Sequence, residues 1–231
     1  MNGDGFIDIV QANISTDSLH VFLNTGSGTF GTSIGYETAD SFGPLAFADV
    51  DQDDDMDIIA LNANNDEFRV YTNNGVGVLS LGSGHTVGDS PVAIAVANLN
   101  STVGKIDAIV VNIHDDNVSR YQDGSGVQFF DWDNYTVGEE PTWITTADLD
   151  GDGDLDAIVA NAVDENLSIL TNDGSGAFSE TTFSTGSTYG NHVLAADVDG
   201  DGDMDIVTSN QDGTFSVIKN YGGGSVSFIT P

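Results

Sequence analysis

Residues 147–159 read Ala147-Asp148-Leu149-Asp150-Gly151-Asp152-Gly153-Asp154-Leu155-Asp156-Ala157-Ile158-Val159. Kindred stretches begin at Ala196 (Ala-Asp-Val-Asp-Gly-Asp-Gly-Asp-Met-Asp-Ile-Val) and at Ala48 (Ala-Asp-Val-Asp-Gln-Asp-Asp-Asp-Met-Asp-Ile-Ile). The aspartates that close these loops are Asp57, Asp156 and Asp205. Asp8 and Asp107 complete the series, at gaps of 49, 50, 49 and 49 residues. Other columns keep the same beat. Asn13, Asn62, Asn112, Asn161 and Asn210 each follow five residues later. Ala48, Ala97, Ala147 and Ala196 precede the loops, and Phe30, Leu79, Phe129, Phe178 and Phe228 close a Gly-rich turn. Independent columns recurring together at this period mark a repeat array.

Around the fourth loop, Trp143–Ala147 reads as a strand, Asp156–Ala160 as a second and Asn166–Leu170 as a third. Asn172–Gly176 is a hairpin turn needing the positive φ that Asn and Gly tolerate, and 177–182 is the fourth strand. No stretch has a helical period. Four antiparallel strands per unit predict an all-β propeller of about five four-stranded blades. The repeats run approximately 1–48, 49–97, 98–147, 148–196 and 197–231 within one domain, 1–231. The alanine column suits the innermost strand, where blades crowd the axis. The Asp-rich loops and Gly-rich turns fall on one face of the disc. Met1 stands at the second position of a loop, so the first blade is expected to lack its inner strand. Adding about 14 residues would complete five units of 49, and the same pattern suits part of a seven-bladed ring.

The loop pattern Asp-x-Asp-x-Asp-Gly-x-x-Asp sets carboxylates at positions 1, 3, 5 and 9 and a carbonyl at 7. Calcium, a hard cation taking six to eight oxygens near 2.4 Å, is bound this way at the front of an EF-hand loop. Gly at position 6 permits the turn. The fourth loop supplies Asp148, Asp150, Asp152, the Asp154 carbonyl and Asp156; the fifth supplies Asp197, Asp199, Asp201, the Asp203 carbonyl and Asp205. The second supplies Asp49, Asp51, Asp53, the Asp55 carbonyl and Asp57, with Asp54 where Gly is favoured. The first keeps only Asn2, Asp4, the Phe6 carbonyl and Asp8. The third has Asn98, Asn100 and Asp107, one extra residue and Lys105, and is expected to be empty with the lysine in the ion's place. Three to four calcium ions are therefore expected. Weak sites of this type fill at extracellular calcium levels, which points to an extracellular or cell-surface location.

Composition narrows the function. With 37 acidic and 4 basic residues the formal charge is −33, against nucleic acid or an anionic membrane as partner. There is no cysteine, and no apolar run is long enough for membrane insertion. At 39% hydrophobic residues in short alternating runs, the chain is not a disordered acidic tail.

The repeat resembles the FG-GAP/VCBS type, including the integrin α-subunit propeller. The carriers are the three Asp-rich loops, the Asp-Ile/Ala-Ile/Val strand, the Asn after it and the Asn-x-Gly-Ser-Gly-x-Phe hairpin. The resemblance implies a propeller, often of seven blades, with calcium in these loops and adhesion, glycan-binding or assembly roles. The second strand runs on as Ala-Asn or Val-Asn, nearer the bacterial repeats than integrin.

Catalysis has no visible machinery. His20, His85, His114 and His192 stand 12, 28, 7 and 36 residues past their loop-ending aspartates and do not converge. On the face opposite the calcium loops, Trp132, Tyr135, Trp143 and His192 form a candidate ligand patch whose rings could stack on sugars, against the alternative that they pack between blades. The loops after the second strands carry Asp17, Asp66, Asp116, Asp164 and Asp212, read as polar loop residues or a ligand ring. The leading reading is a non-enzymatic, calcium-stabilised extracellular module binding a glycan or protein ligand. The alternatives are a surface or filament subunit self-associating through the missing inner strand, and the non-catalytic propeller of a larger secreted enzyme.

Overall fold

The computed structural model describes residues 1–38, 42–102, 105–124, 128–184, 190–210, 212–222 and 228–229, and every regular element among them is a strand. The first sheet has three strands, β1 (Ile9–Asn13), β2 (Ser18–Phe22) and β3 (Ile34–Glu37). The second has β4 (Leu45–Ala48), β5 (Asp57–Asn62), β6 (Glu67–Asn73) and β7 (Leu79–Thr86). The third has β8 (Pro91–Ala97), β9 (Asp107–Asn112), β10 (Asn117–Asp123) and β11 (Phe129–Thr136). The fourth has β12 (Pro141–Ala147), β13 (Asp156–Asn161), β14 (Asn166–Asn172) and β15 (Phe178–Ser184). The fifth has β16 (Gly190–Ala196), β17 (Asp205–Asn210), β18 (Phe215–Asn220) and β19 (Phe228–Ile229). Every sheet is an antiparallel meander in chain order, which is the propeller blade read from the sequence. Among the described residues the first blade has three strands and no inner one, in line with the expectation.

The second strand of each unit is a continuous apolar run because it is covered on both faces. All six residues of β5, β9 and β13 are buried. In β13 the two faces serve different neighbours. Ala157 and Val159 join the cluster shared with the third blade, while Ile158 and Ala160 join the cluster shared with the fifth. Apolar clusters join blades one to two, two to three, three to four and four to five. Among the described residues none joins five to one. Accordingly Leu194, Val198 and Phe215 are 51%, 51% and 72% exposed on the outer face of the fifth sheet. Their counterparts one blade back include Leu149 and Leu167, both buried. Exposure of Ile7 and Ile9 marks the outer face of the first sheet in the same way.

Candidate metal centres

The Asp-rich loops join inner to second strands. Each winds about its first carboxylate. Asp148 Oδ1 accepts the Gly151 amide at 2.8 Å and its Oδ2 the Gly153 amide at 3.0 Å. Asp197 holds Gly200 and Gly202 in the same way, at 2.7 and 3.1 Å. The position-6 residue takes a left-handed conformation, φ +95° at Gly153 and +98° at Gly202. In the second loop Asp54 is forced to φ +71°, the local penalty expected of a side chain where Gly belongs.

This winding gathers three sets of carboxylate oxygens: Asp49, Asp51 and Asp53; Asp148, Asp150 and Asp152; Asp197, Asp199 and Asp205. Within each set the oxygens lie within 4.8 Å of one another. Two ligands about 2.4 Å from one ion can be no farther apart than twice that length, so the spacing fits calcium. Asp51 Oδ1 is buried without a partner, an orphan that a cation would satisfy. Burial, followed by its neighbours Asp57 and Asp53, pushes the Asp51 carboxyl above its ordinary pKa, and burial does the same at Asp150.

The loop-ending aspartates have a second task. Asp57, Asp156 and Asp205 are wholly buried. Asp156 Oδ2 accepts the Leu149 amide and Oδ1 the Asn172 amide, both at 2.9 Å. Asp57 and Asp205 clamp Val50 with Asn73, and Val198 with Asn220, in the same fashion. Burial raises the Asp156 carboxyl to about 6. Asp57 and Asp156 thus stand apart from the three-carboxylate sets, whereas Asp205 belongs to one. Asp201 bonds the Asp203 amide at 3.0 Å and orders the same loop. The side chains of Asp55, Asp154 and Asp203 lean over Gly75, Gly174 and Gly222 of their own hairpin turns.

Those turns carry residues that a reading by carboxylate pattern passes over. Asn172 Nδ2 donates to Leu99 O at 2.8 Å, and Asn220 Nδ2 to Leu149 O at 2.6 Å. Asn73 Nδ2 reaches Met1 O at 2.8 Å. Each bond ties one blade's turn to the loop that ends at the preceding blade's Asp8, Asp107 or Asp156, so loop order and blade stacking are coupled. The available signal was an Asn 15 or 16 residues after the loop-ending Asp, broken only by Asp123.

The first and third loops differ. In the first, Asn2 Nδ2 donates to Asp4 Oδ2 at 2.9 Å, and the Phe6 amide donates to Asp4 Oδ1 at 2.9 Å, which lowers the Asp4 carboxyl. Asp8 Oδ2 meets the Met1 amine at 3.4 Å, and no three-carboxylate set forms there. In the third, the expectation that Lys105 replaces the ion needs correction. Lys105 Nζ bonds Asp123 Oδ2 at 3.2 Å and Gly124 O at 3.0 Å. The loop-ending Asp107 is instead met by Arg120 Nη2 at 3.4 Å, with Arg120 Nη1 3.7 Å from Asp133. Arg120 is 5% exposed and occupies a column filled elsewhere by Val21, Val70, Ile169 and Val217. Its guanidinium lies where a side chain on Gly176 of the next blade would stand. At the fifth loop, Lys219 Nζ sits 2.8 Å from Asp199, holding that carboxyl below its ordinary pKa. A cation there competes with a metal.

The candidate ligand patch divides. Trp143 of β12 and His192 of β16 pack with ring centroids 4.4 Å apart on neighbouring blades. Tyr135 packs edge-on against Phe178 at 5.2 Å, between the third and fourth blades. The Trp132 side chain lies outside the described residues. The other histidines are scattered, His20 beside Ser18 and Ser33, His85 against Phe68, and His114 beside Asp89. The carboxylates of Asp66 and Asp116 accept the Ser90 and Glu140 amides at 2.9 and 3.0 Å, a structural use.

Comparison with known proteins agrees with this architecture. Residues 1–60 and 148–208 match the FG-GAP-like repeat, and residues 189–229 match the FG-GAP repeat. No curated protein sequence matches the chain. Among solved structures, a protein of unknown function from Desulfotomaculum acetoxidans is 19% identical with TM-score 0.73. The alignment covers 96% of this chain and 65% of that one. A protein provisionally named as a 6-phosphogluconolactonase from Bacteroides uniformis is 14% identical with TM-score 0.74, covering 99% of this chain and 67% of that one. A similarly named Bacteroides fragilis protein gives 14%, 0.74, and coverage of 96% and 66%. The chain therefore spans about two thirds of the length of these structures, and likeness at such identity shows the propeller fold alone. Five blades repeating in register, three of them with acidic loops, and a family match over half the chain place it in the FG-GAP-like repeat family.

Proposed function

We propose that this chain is a calcium-stabilised, non-enzymatic binding and adhesion module that works outside the cell, recognising a glycan or partner protein. The repeat family supports a binding-type propeller module. The observation that carries the metal is the gathering of three carboxylate sets within one ion's ligand span. At free calcium ten times Kd, each site adds about 1.4 kcal/mol to stability, so three contribute about 4 kcal/mol. That is comparable with the whole stability of a typical domain, about 5–15 kcal/mol. Calcium is favoured over magnesium because the loops offer flexible all-protein oxygen ligands, whereas magnesium keeps its waters.

The paired rings of Trp143 and His192 are the place we assign to a glycan. The test has two parts. Thermal melts in calcium, magnesium and EDTA at fixed ionic strength should show a calcium-specific rise of roughly 8–16 °C for a chain of this size. A rise no larger than magnesium's removes the metal from the proposal. A glycan screen in calcium buffer, repeated with Trp143→Ala, tests the ligand: binding that is indifferent to Trp143 places it elsewhere.

A further inference from the structure

The asparagine ties between blades are not equivalent. Each joins the second residue of one loop to a turn residue of the next blade: Asn73 to Met1, Asn172 to Leu99 and Asn220 to Leu149. The backbone amide of the same asparagine donates to the loop-ending carboxylate of its own blade, Asp57, Asp156 or Asp205. A tie therefore connects the front of one loop with the close of the next, and what it transmits depends on what stands at its two ends. At Asn73 the earlier loop is the first, and at Asn172 it is the third; neither gathers a three-carboxylate set among the described residues. At Asn220 both ends touch gathered sets. Leu149 lies between Asp148 and Asp150 of the fourth set, and Asp205 is itself a member of the fifth. Asn220 Nδ2 is 2.6 Å from Leu149 O, the Asn220 amide is 2.8 Å from Asp205 Oδ1, and the Leu149 amide is 2.9 Å from Asp156 Oδ2. Asn220 is wholly buried, so water does not compete for these bonds, and its Oδ1 accepts the Gly222 amide at 3.1 Å, which fixes how the side-chain amide faces. Between the second and third blades the tie is broken. Position 123 is Asp, whose carboxylate has no proton to donate to the Val50 carbonyl; Lys105 takes its Oδ2, and its Oδ1 is buried without a hydrogen-bond partner.

We propose that the fourth and fifth loops take up calcium as a coupled pair, with Asn220 as the positioning residue between them, and that the second loop fills independently. This rests on the metal reading given above. With Asp148 and Asp150 drawn together, the Leu149 peptide between them is fixed. Its carbonyl then holds the Asn220 side chain, and the Asn220 amide holds Asp205 beside Asp197 and Asp199. Contiguous hydrogen-bonded groups of this kind carry coupling between sites. The fifth loop is the one that needs such support. Lys219 Nζ sits on Asp199, and Asp205 rather than Asp201 completes the gathered set. The fourth loop has Thr171 at the place of Lys219 and gathers its first three carboxylates, so it fills first. The coupling is reciprocal, so an occupied fifth loop tightens the fourth by the same factor. The second loop is shut out twice, by Asp123 in place of the tying asparagine and by a third loop that carries Asn98 and Asn100 where carboxylates would stand.

The experiment titrates calcium into the whole chain at fixed ionic strength and follows the amide resonances of Asp54, Gly153 and Gly202, one for each acidic loop. Asp150→Asn cripples the fourth loop and should weaken calcium at Gly202 at least about fivefold. Asp53→Asn cripples the second loop and should leave Gly202 unchanged within about twofold. In an Asn220→Ala background, Asp150→Asn should no longer alter Gly202, which closes a double-mutant cycle. A general loss of stability lowers all three affinities and leaves the ratio between them, so the vanished ratio reports positioning. Where Asn220→Ala does not fold, Asn220→Asp, which copies position 123, takes its place. Indifference of Gly202 to Asp150→Asn overturns the proposal and leaves the metal reading standing. Equal weakening by Asp53→Asn, or coupling that survives the loss of Asn220, overturns it as well. Absence of a calcium-specific shift at all three amides overturns the metal reading and the proposal together.

Discussion

Arg120→Met isolates the device by which the third blade manages without an acidic metal loop. The guanidinium is buried, bonds Asp107 at 3.4 Å and leaves its Nε without a partner. Methionine keeps the straight stem and suits the aliphatic column, so packing changes little. What is lost is the counter-charge of a wholly buried carboxylate. Removing one partner of a buried pair costs about 3–5 kcal/mol. Asp107 retains the Asp123 amide at 3.1 Å, which argues for the lower end, about 3 kcal/mol. For a chain of this size that is a fall in Tm of roughly 6–12 °C. Urea unfolding should show a lower midpoint at unchanged slope, with the same loss in calcium and in EDTA, because Asn98, Asn100 and Thr102 offer no carboxylates to replace the guanidinium. The double variant Arg120→Met/Asp107→Asn should recover most of the loss. A loss under about 1 kcal/mol, or rescue of the single variant by calcium, would refute the reasoning.

Three further outcomes are expected. In EDTA, stability should fall as pH rises from 4 to 7, because the Asp156 carboxyl is raised to about 6 and folding therefore favours its protonated form below that pH. Relative to an unfolded carboxylate near 3.9 the change is about 3 kcal/mol, seen as denaturation midpoints against pH; saturating calcium should shrink it, since a cation held by Asp148, Asp150 and Asp152 offsets the neighbouring negative charge that helps raise Asp156. Asp54→Gly should stabilise the chain by about 0.5–1 kcal/mol by relieving φ +71°, with the larger gain in EDTA, where one fewer carboxylate is left repelling its neighbours. Lys219→Thr, the residue found at the equivalent Thr171, should tighten calcium at the fifth loop severalfold in titration calorimetry by freeing Asp199; unchanged affinity would mean the amine does not compete.

Much of this molecule was legible in one dimension. A repeat of 49 residues shows its strands five times over, so period-2 runs and Gly-rich turns located β12 to β15 within about two residues. The acidic loops were legible because calcium's demand for closely spaced oxygens is met by residues adjacent in the chain. Three-stranded pairing in the first blade followed from where the loop motif stands at Met1. The contacts between blades were not legible. That Asn172 ties its turn to Leu99, 73 residues earlier, depends on how one sheet stacks on the next. That Arg120 rather than Lys105 meets Asp107 depends on which face of β10 points inward and on how far each stem reaches, which charge counting cannot resolve. The aromatic patch divided for the same reason, since Tyr135 and Trp143 lie close in sequence but on different strands, packed into different interfaces. Local chemistry, set by neighbours along the chain, thus decided the blades and the metal loops, while burial and reach across the blade interfaces, set only once the sheets stack, decided which side chains serve as counter-ions and staples.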